Sequence, residues 1–423
     1  MSATSPQDDA PLRLGEAKRR IDDAIVAIGD VESIPLGAAL GRVLAHDLIS
    51  PIDVPAHHAA AMDGYALHSG GGSGTGASRR RIVGRALAGE PYTGSVEPDE
   101  CVRIMTGAMM PRGCDAVVPQ EEAIAHGDEV EFPGSVRVDQ HRRRAGEDLA
   151  RGAVAIERGR RITPSDLGLA ASIGASTISV LRRLRVAVFS TGTELRALDQ
   201  VLEQGSVHDS NRYTLIGMLE RLGAEVIDLG IVGDDRDALE AALKHACSGP
   251  IRADAVITSG GVSAGDADYT REVMRNTGRV SFWKLAIKPG RPMAFGSIDL
   301  ADGHQGRSAL LFGLPGNPVA MMVVFHALVR DALLKLMGAR VDPLACLQLV
   351  CDTRLSKPAG RTEFVRGIAF RAEDGWHVRP TGAQGSSMLR SMSQANCLIV
   401  LDHDRGDVMA GEIVEAWPFE GLV

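Results

Sequence analysis

Between residues 254 and 318 the chain gathers residue types suited to holding a charged ligand. SGGVSAGDADYT (259–270) follows the apolar run 255–258. Its glycines let backbone N–H groups approach a ligand closely. Asp266 and Asp268 sit where a helix should begin. WKLAIKPGRP (283–292) supplies Lys284, Lys288 and Arg291 around a Pro-Gly turn. The spacing of the two lysines does not place them on one face, because 283–287 reads as a strand. GLPGNPV (313–319) ends another apolar run and enters a helix through Pro318, a residue suited to a first helical turn. Glycine turns with carboxylates and lysines point to an anionic ligand and a metal ion.

The elements that must position these residues alternate. Residues 186–189, 226–232 and 255–258 read as strands, the last of them buried, with helices over 211–222 and 236–247 between them. Such alternation implies a parallel sheet covered by helices. Ligands in these sheets bind outside the carboxyl ends of the strands. STGTEL (190–195), Gly233-Asp234-Asp235 and the SGG turn all fall there. Glu194 lies just past one strand end. Asp234 and Asp235 follow the next, where capping of the 236–247 helix competes with a ligand role, and Asp235 is the stronger candidate of the two. Carboxylates converging at strand ends need a cation, and oxygen donors without cysteine suit magnesium.

Elsewhere, 14–28 reads as a first helix, 33–48 as an extended segment with a helical turn, 161–179 as a helix begun by Thr163-Pro164-Ser165-Asp166, and 319–337 as a long apolar helix. Short strands with Gly/Pro turns fill residues 51 to about 140 and the region after 343. Residues 70–78 read as a mobile loop tip, and the first dozen or so residues as a short disordered tail without a secretory pattern.

The 423 residues exceed one ordinary core, so several domains are expected. A net charge of −8 argues against general nucleic-acid binding. No uninterrupted apolar run is long enough to span a bilayer. Six scattered cysteines without a CxxC pair suggest reduced thiols in a cytoplasmic protein.

Taken in order with AMDGYA (61–66), RIMTGAMMPRGCDAVVPQE (103–121), RRAGED (143–148), DSNRY (209–213), GRTEFVRG (360–367) and GAQGSSML (382–389), these motifs resemble the MoeA-type molybdopterin molybdenumtransferases. The resemblance spans nearly the whole chain. It implies a discontinuous linker domain (12–50 plus 146–182), a β-rich insertion (51–145), a MogA-like molybdopterin-binding α/β domain (183–340) and a small C-terminal β-barrel (341–423). It implies insertion of molybdate into adenylylated molybdopterin with release of AMP, aided by Mg2+. A homodimer with shared clefts is implied, with the molybdopterin adenylyltransferase and molybdoenzyme chaperones as further partners, and neither nucleic acid nor membrane.

By the same resemblance, Asp63, Glu194, Asp268, Lys284 and Lys288 would be catalytic, with Asp63 reaching the cleft from the partner subunit. Without the resemblance, Asp63 reads first as a turn aspartate before Gly64, and the resemblance reverses that reading. Glu194, Asp235 and Asp268 would hold the metal. Thr106, Asp148, Ser259, Gly260, Gly261, Pro315, Gly316, Asn317, Arg361 and Ser386 would bind substrate. Arg361 is expected at the molybdate end and Lys288 near the diphosphate, with no nearby carboxylate to neutralise the pair. Three positions depart from many relatives: His58-Ala59-Ala60-Ala61-Met62 lacks a hydroxyl beside the aspartate, Thr193 replaces an aspartate and Ala320 a serine. An adenylyltransferase or nucleotide hydrolase on the same α/β unit, and a non-catalytic scaffold, are the alternative readings.

Overall fold

The computed structural model describes residues 10–70, 77–132, 134–247, 252–262, 268–298 and 308–419, so most of the expected tail, most of the 70–78 loop and Asp266 lie outside it. Nothing is described of the Asp268 side chain either. The chain forms two compact units. One comprises Met1–Glu32, Gly41–Val43 and Leu181–Val423, the other Ser33–Leu40 and Leu44–Val180.

The first unit is built on a six-stranded sheet. Its order is Glu225–Val232, Arg185–Thr191, Ala255–Ser259, Ala309–Leu314, Pro292–Ile298, Gly278–Lys284. The first four strands run parallel and the last two antiparallel, giving the mostly parallel sheet expected. Continuous apolar runs explain the parallel part. Ala255–Ser259 and Ala309–Leu314 are buried at every position, as a strand covered on both faces must be. Ser210–Leu222 begins on the Asp209 cap and ends at Gly223 in the left-handed region.

After Ala309–Leu314, Pro318 opens the apolar helix at its first turn. That helix is not uniform. A π-helical turn, Phe325–Val329, separates Pro318–Val324 from Arg330–Leu336. Buried His326 lies in this turn, and its Nδ1 has no hydrogen-bond partner among the described residues. Burial, helped by the Arg330 and Arg221 charges, pushes its imidazole down from 6.5 to about 4. The folded state therefore keeps His326 neutral, while the unfolded chain takes up a proton as pH falls through its own higher value. The stability this group permits is complete above about 6.5 and is lost as pH falls toward about 4. His326→Leu should abolish a loss on the order of 2 kcal/mol between about pH 7 and pH 5. Denaturant midpoints of both proteins at the two pH values check this; parallel changes would contradict it.

Five further strands close into a barrel, in the order Thr362–Arg371, Trp376–Pro380, Leu347–Cys351, Ile413–Pro418, Cys397–Leu401 and back to the first. Alternation decides the faces. Val365, Cys397 and Ile399 fill the barrel, whereas Phe364, Leu398 and Val400 pack on the α/β core. A sixth, two-residue strand, Ile287–Lys288, joins the barrel in parallel at Thr362 and Glu363. The expected strand over 283–287 is thus split. Gly278–Lys284 ends in the large sheet, the chain turns through buried Leu285 and Ala286, and Lys288 belongs to the other sheet.

The second unit holds a six-stranded sheet of Ala116–Pro119, Gly64–Leu67, Glu100–Ile104, Ser78–Ala86, Glu129–Phe132 and Ile124–His126. A separate small core gathers Ala39, Leu44, Ile156, Ile162, Ala170, Ile178 and Val180. The helix expected over 161–179 is shorter. Pro164–Ser172 starts on a reciprocal Thr163–Asp166 capping box, and left-handed Gly174 follows its end. Thr177–Leu181 is then a strand, as its β-branched content favours. The first helix also stops early, as Leu14–Ala24. Among the described residues no helix is long and apolar enough to cross a membrane.

Candidate active site

A cleft of ≈ 1070 Å³ opens at the carboxyl ends of the parallel strands, where the alternation placed it. Three strand ends form one wall. Ser190 to Glu194 comes from the first, Ser259 to Gly261 from the second and Pro315 to Asn317 from the third. Gly260 is obligatory: its φ is +96°, and a Cβ there would lie 2.2 Å from the Thr191 carbonyl oxygen. Lys288 to Arg291 crosses the cleft, and Arg361 with Gln384 to Ser387 closes it from the barrel.

Ten expected residues meet here: Glu194, Ser259, Gly260, Gly261, Lys288, Pro315, Gly316, Asn317, Arg361 and Ser386. Others do not. Lys284, exposed at its strand end, is not among the lining residues. Asp235 turns to its own helix, and its Oδ1 accepts from the Ala238 amide at 2.9 Å. Its neighbour Asp234 lines the cleft instead and accepts from the Thr270 hydroxyl at 3.3 Å. Asp234, rather than Asp235, is thus the carboxylate of this pair that lines the cleft. Asp268 does begin a helix, Asp268–Thr277.

The cationic side shows a second difference. Glu363 stands between Lys288 and Arg361. Its Oε2 lies 3.2 Å from Lys288 Nζ, and Arg361 donates Nε to Oε1 at 2.8 Å. The pair expected to be free of a neutralising carboxylate thus shares one. The parallel register causes this, since it sets Lys288 opposite Glu363. Holding both cations on one carboxylate brings them to the same end of the cleft.

Supporting contacts fix the walls. Asn211, opening the Ser210–Leu222 helix, donates Nδ2 to Ser259 Oγ and to the Gly316 carbonyl, each at 2.7 Å. Its buried Oδ1 has no partner among the described residues. Asp209 is spent internally on Ser190 and Arg212. Arg366, fully buried, donates to Ser391 Oγ and to the carbonyls of Gln384 and Gly385, so it shapes the loop carrying Ser386. The Ser386 carbonyl in turn accepts from the Val319 amide. Asn211 was missed in the sequence because DSNRY offered only capping as a local signal.

Asp63, Thr106 and Asp148 belong to the second unit. Thr106 donates both its amide and its hydroxyl to Asp63 Oδ1 at 2.7 Å. These bonds, with the Arg103 charge, hold the Asp63 carboxyl below the usual carboxylate range. Asp63 thus hydrogen-bonds a distant loop and not its own turn. Gly64 is required for packing, since a Cβ would meet the Val118 carbonyl oxygen at 1.9 Å. Asp148 is exposed, and its amide donates to the Val54 carbonyl.

Comparison with known proteins agrees with this arrangement. Residues 12–174 match the MoeA N-terminal region (domain I and II), 187–335 a probable molybdopterin binding domain, and 348–419 the MoeA C-terminal region (domain IV). A molybdopterin molybdenumtransferase of Haemophilus influenzae is 39% identical over 97% of this chain and 100% of its own. The chain belongs to the molybdopterin molybdenumtransferase family. A second member, molybdopterin molybdenumtransferase 2 of Mycobacterium tuberculosis, is 32% identical over 91% of this chain and 94% of its own. The molybdopterin biosynthesis moeA protein of Pyrococcus horikoshii OT3 superposes with a TM-score of 0.82 at 25% identity, covering 97% and 100% of the two chains. Membership of this family explains why β-rich regions accompany the α/β sheet, as a lone nucleotide-handling α/β unit needs neither.

Proposed function

We propose that this molybdenumtransferase-family protein inserts molybdate into adenylylated molybdopterin and releases AMP. The reading rests on one observation above all. A single cleft carries oxygen donors on its sheet wall, Glu194 and Asp234, and cations on its barrel side, Lys288, Arg291 and Arg361. A substrate joined to AMP by a diphosphate, and a second oxyanion, need that division. Its volume suits a ligand of this size.

The glycine turn 259–261 would seat the diphosphate, with the Gly261 amide as donor, since the Gly260 amide is donated to the Leu314 carbonyl. Lys288, Arg361 and Ser386 would bind molybdate as cationic and hydroxyl donors aimed at tetrahedral oxygens. The wall carboxylates fit a hard cation, since their donors are oxygens. Glu194 and Asp234 would hold Mg2+, with Asp268 as the further ligand the resemblance implies; when bound, the ion would offset charge on the departing phosphate.

We further propose a homodimer, with Asp63 and Thr106 completing the partner's cleft, and the four-domain division by residue set out above. The six unpaired thiols fit a cytoplasmic setting. Physical partners among the adenylyltransferase and molybdoenzyme chaperones would pass the unstable pterin along.

The test is reconstitution. The protein, adenylylated molybdopterin, molybdate and Mg2+ should together activate a cofactor-free molybdoenzyme. Omitting the protein or adding a chelator should remove that activation. Equal activation without the protein would dismiss the proposal.

A further inference from the structure

Glu363 has a place in the cleft that the ligand-binding residues themselves do not explain. Its side chain is only 6% exposed. A buried carboxylate is costly unless well paired, and here each oxygen takes a different cation. Oε1 accepts from Arg361 Nε and lies 2.8 Å from its Nη2. Oε2 lies 3.2 Å from Lys288 Nζ. The two cations come from different strands, Lys288 from the two-residue strand that leaves the α/β domain and Arg361 from the approach to the barrel. Both nevertheless keep open surface, 50% for Lys288 and 38% for Arg361, and both line the cleft. Behind them Lys357, 2% exposed, is occupied by backbone carbonyls, chiefly that of Arg405 at 2.5 Å.

This arrangement does more than stitch two strands. The backbone pairing of Ile287 and Lys288 with Thr362 and Glu363 already does that. A free lysine stem carries considerable rotamer entropy, which an oxyanion would have to remove on binding. With Glu363 present, that ordering is complete before the oxyanion arrives.

We propose that Glu363 is a positioning residue that holds Lys288 and Arg361 as one two-pronged clamp for a tetrahedral oxyanion. This rests on the reading of the cleft given above and deepens it by naming what organises the molybdate end. Glu363 does not touch the oxyanion. It acts through the two cations, and it keeps the unoccupied clamp from carrying two uncompensated charges.

The test uses the full-length protein and Glu363→Gln, which keeps the shape and one acceptor but removes the charge. The half-saturating molybdate concentration for AMP release should rise about tenfold, the scale of one lost charge-assisted hydrogen bond. The rate at saturating molybdate should change far less, and the dependence on adenylylated molybdopterin not at all. In a Lys288→Ala background the same substitution should have a smaller effect, because its route is partly gone. A fall in half-saturating molybdate would overturn the proposal, since Glu363 would then only compete with the anion. So would a loss of rate and thermal stability with unchanged half-saturation, the signature of a structural strut. Calorimetric titration of wild type and Glu363→Gln with molybdate alone gives the same comparison without turnover. Weaker binding in the variant supports the clamp even if the wild type fails to release AMP, an outcome that would count against the functional reading alone.

Discussion

Arg361→Ala and Lys288→Ala should each slow AMP release at low molybdate by about tenfold to a hundredfold, the scale of a lost charge-assisted hydrogen bond to a bound oxyanion. Two effects add. The oxyanion loses one cationic contact, and the remaining cation is balanced one to one by Glu363, so the clamp loses its net positive charge. Both defects belong to binding, so raising molybdate should restore most of the rate in each variant. The resemblance alone suggested different behaviour, with Lys288 serving the diphosphate and resisting rescue. The shared carboxylate favours one common role for both cations. Arg291, which lines the cleft beside them, is the better candidate for a contact to the leaving phosphate. Initial rates against molybdate concentration for the three alanine variants decide the matter. A Lys288→Ala rate that stays low at saturating molybdate would separate the two cations again.

Asp63→Ala should also be severely impaired, by about a hundredfold or more if the carboxylate handles a proton or a water. The stronger form of this prediction concerns mixtures. Asp63 and Glu194 belong to separate compact units. If each cleft takes Asp63 from one subunit and Glu194 from the other, hybrids of Asp63→Ala and Glu194→Ala chains contain one intact site. Random exchange at equal concentrations should then recover about a quarter of wild-type activity, as expected for a twofold dimer. Proven exchange with no recovery would place both residues in a cleft of one chain, or remove Asp63 from the site.

The parts of the molecule that were legible in the sequence are those specified locally. Apolar runs at 186–189 and 255–258 are buried strands and 226–232 is a half-buried edge strand, and their alternation with helices implied parallel pairing and the crevice. The Thr163–Asp166 capping box and Pro318 marked helix starts for the same reason. Lost from view were features set by register between distant segments. Lys288 and Glu363 meet because a two-residue strand switches sheets, and no local period announces such a switch. Asp234 and Asp235 differ only in which one the helix claims as a cap, a choice made by backbone direction. The π-helical turn at Phe325–Val329 is invisible for a similar cause, since its residues are as apolar as those of the helices around it. The helix over 161–179 failed on Gly174, whose left-handed conformation ends one element and begins the next.

The most direct measurement is AMP release from adenylylated molybdopterin by the wild-type protein, with molybdate as the only variable. The account predicts almost no release without molybdate, and one AMP for each active cofactor formed when molybdate is supplied with Mg2+. AMP released at the full rate without molybdate would contradict it, and would make this cleft the site of a nucleotide hydrolase.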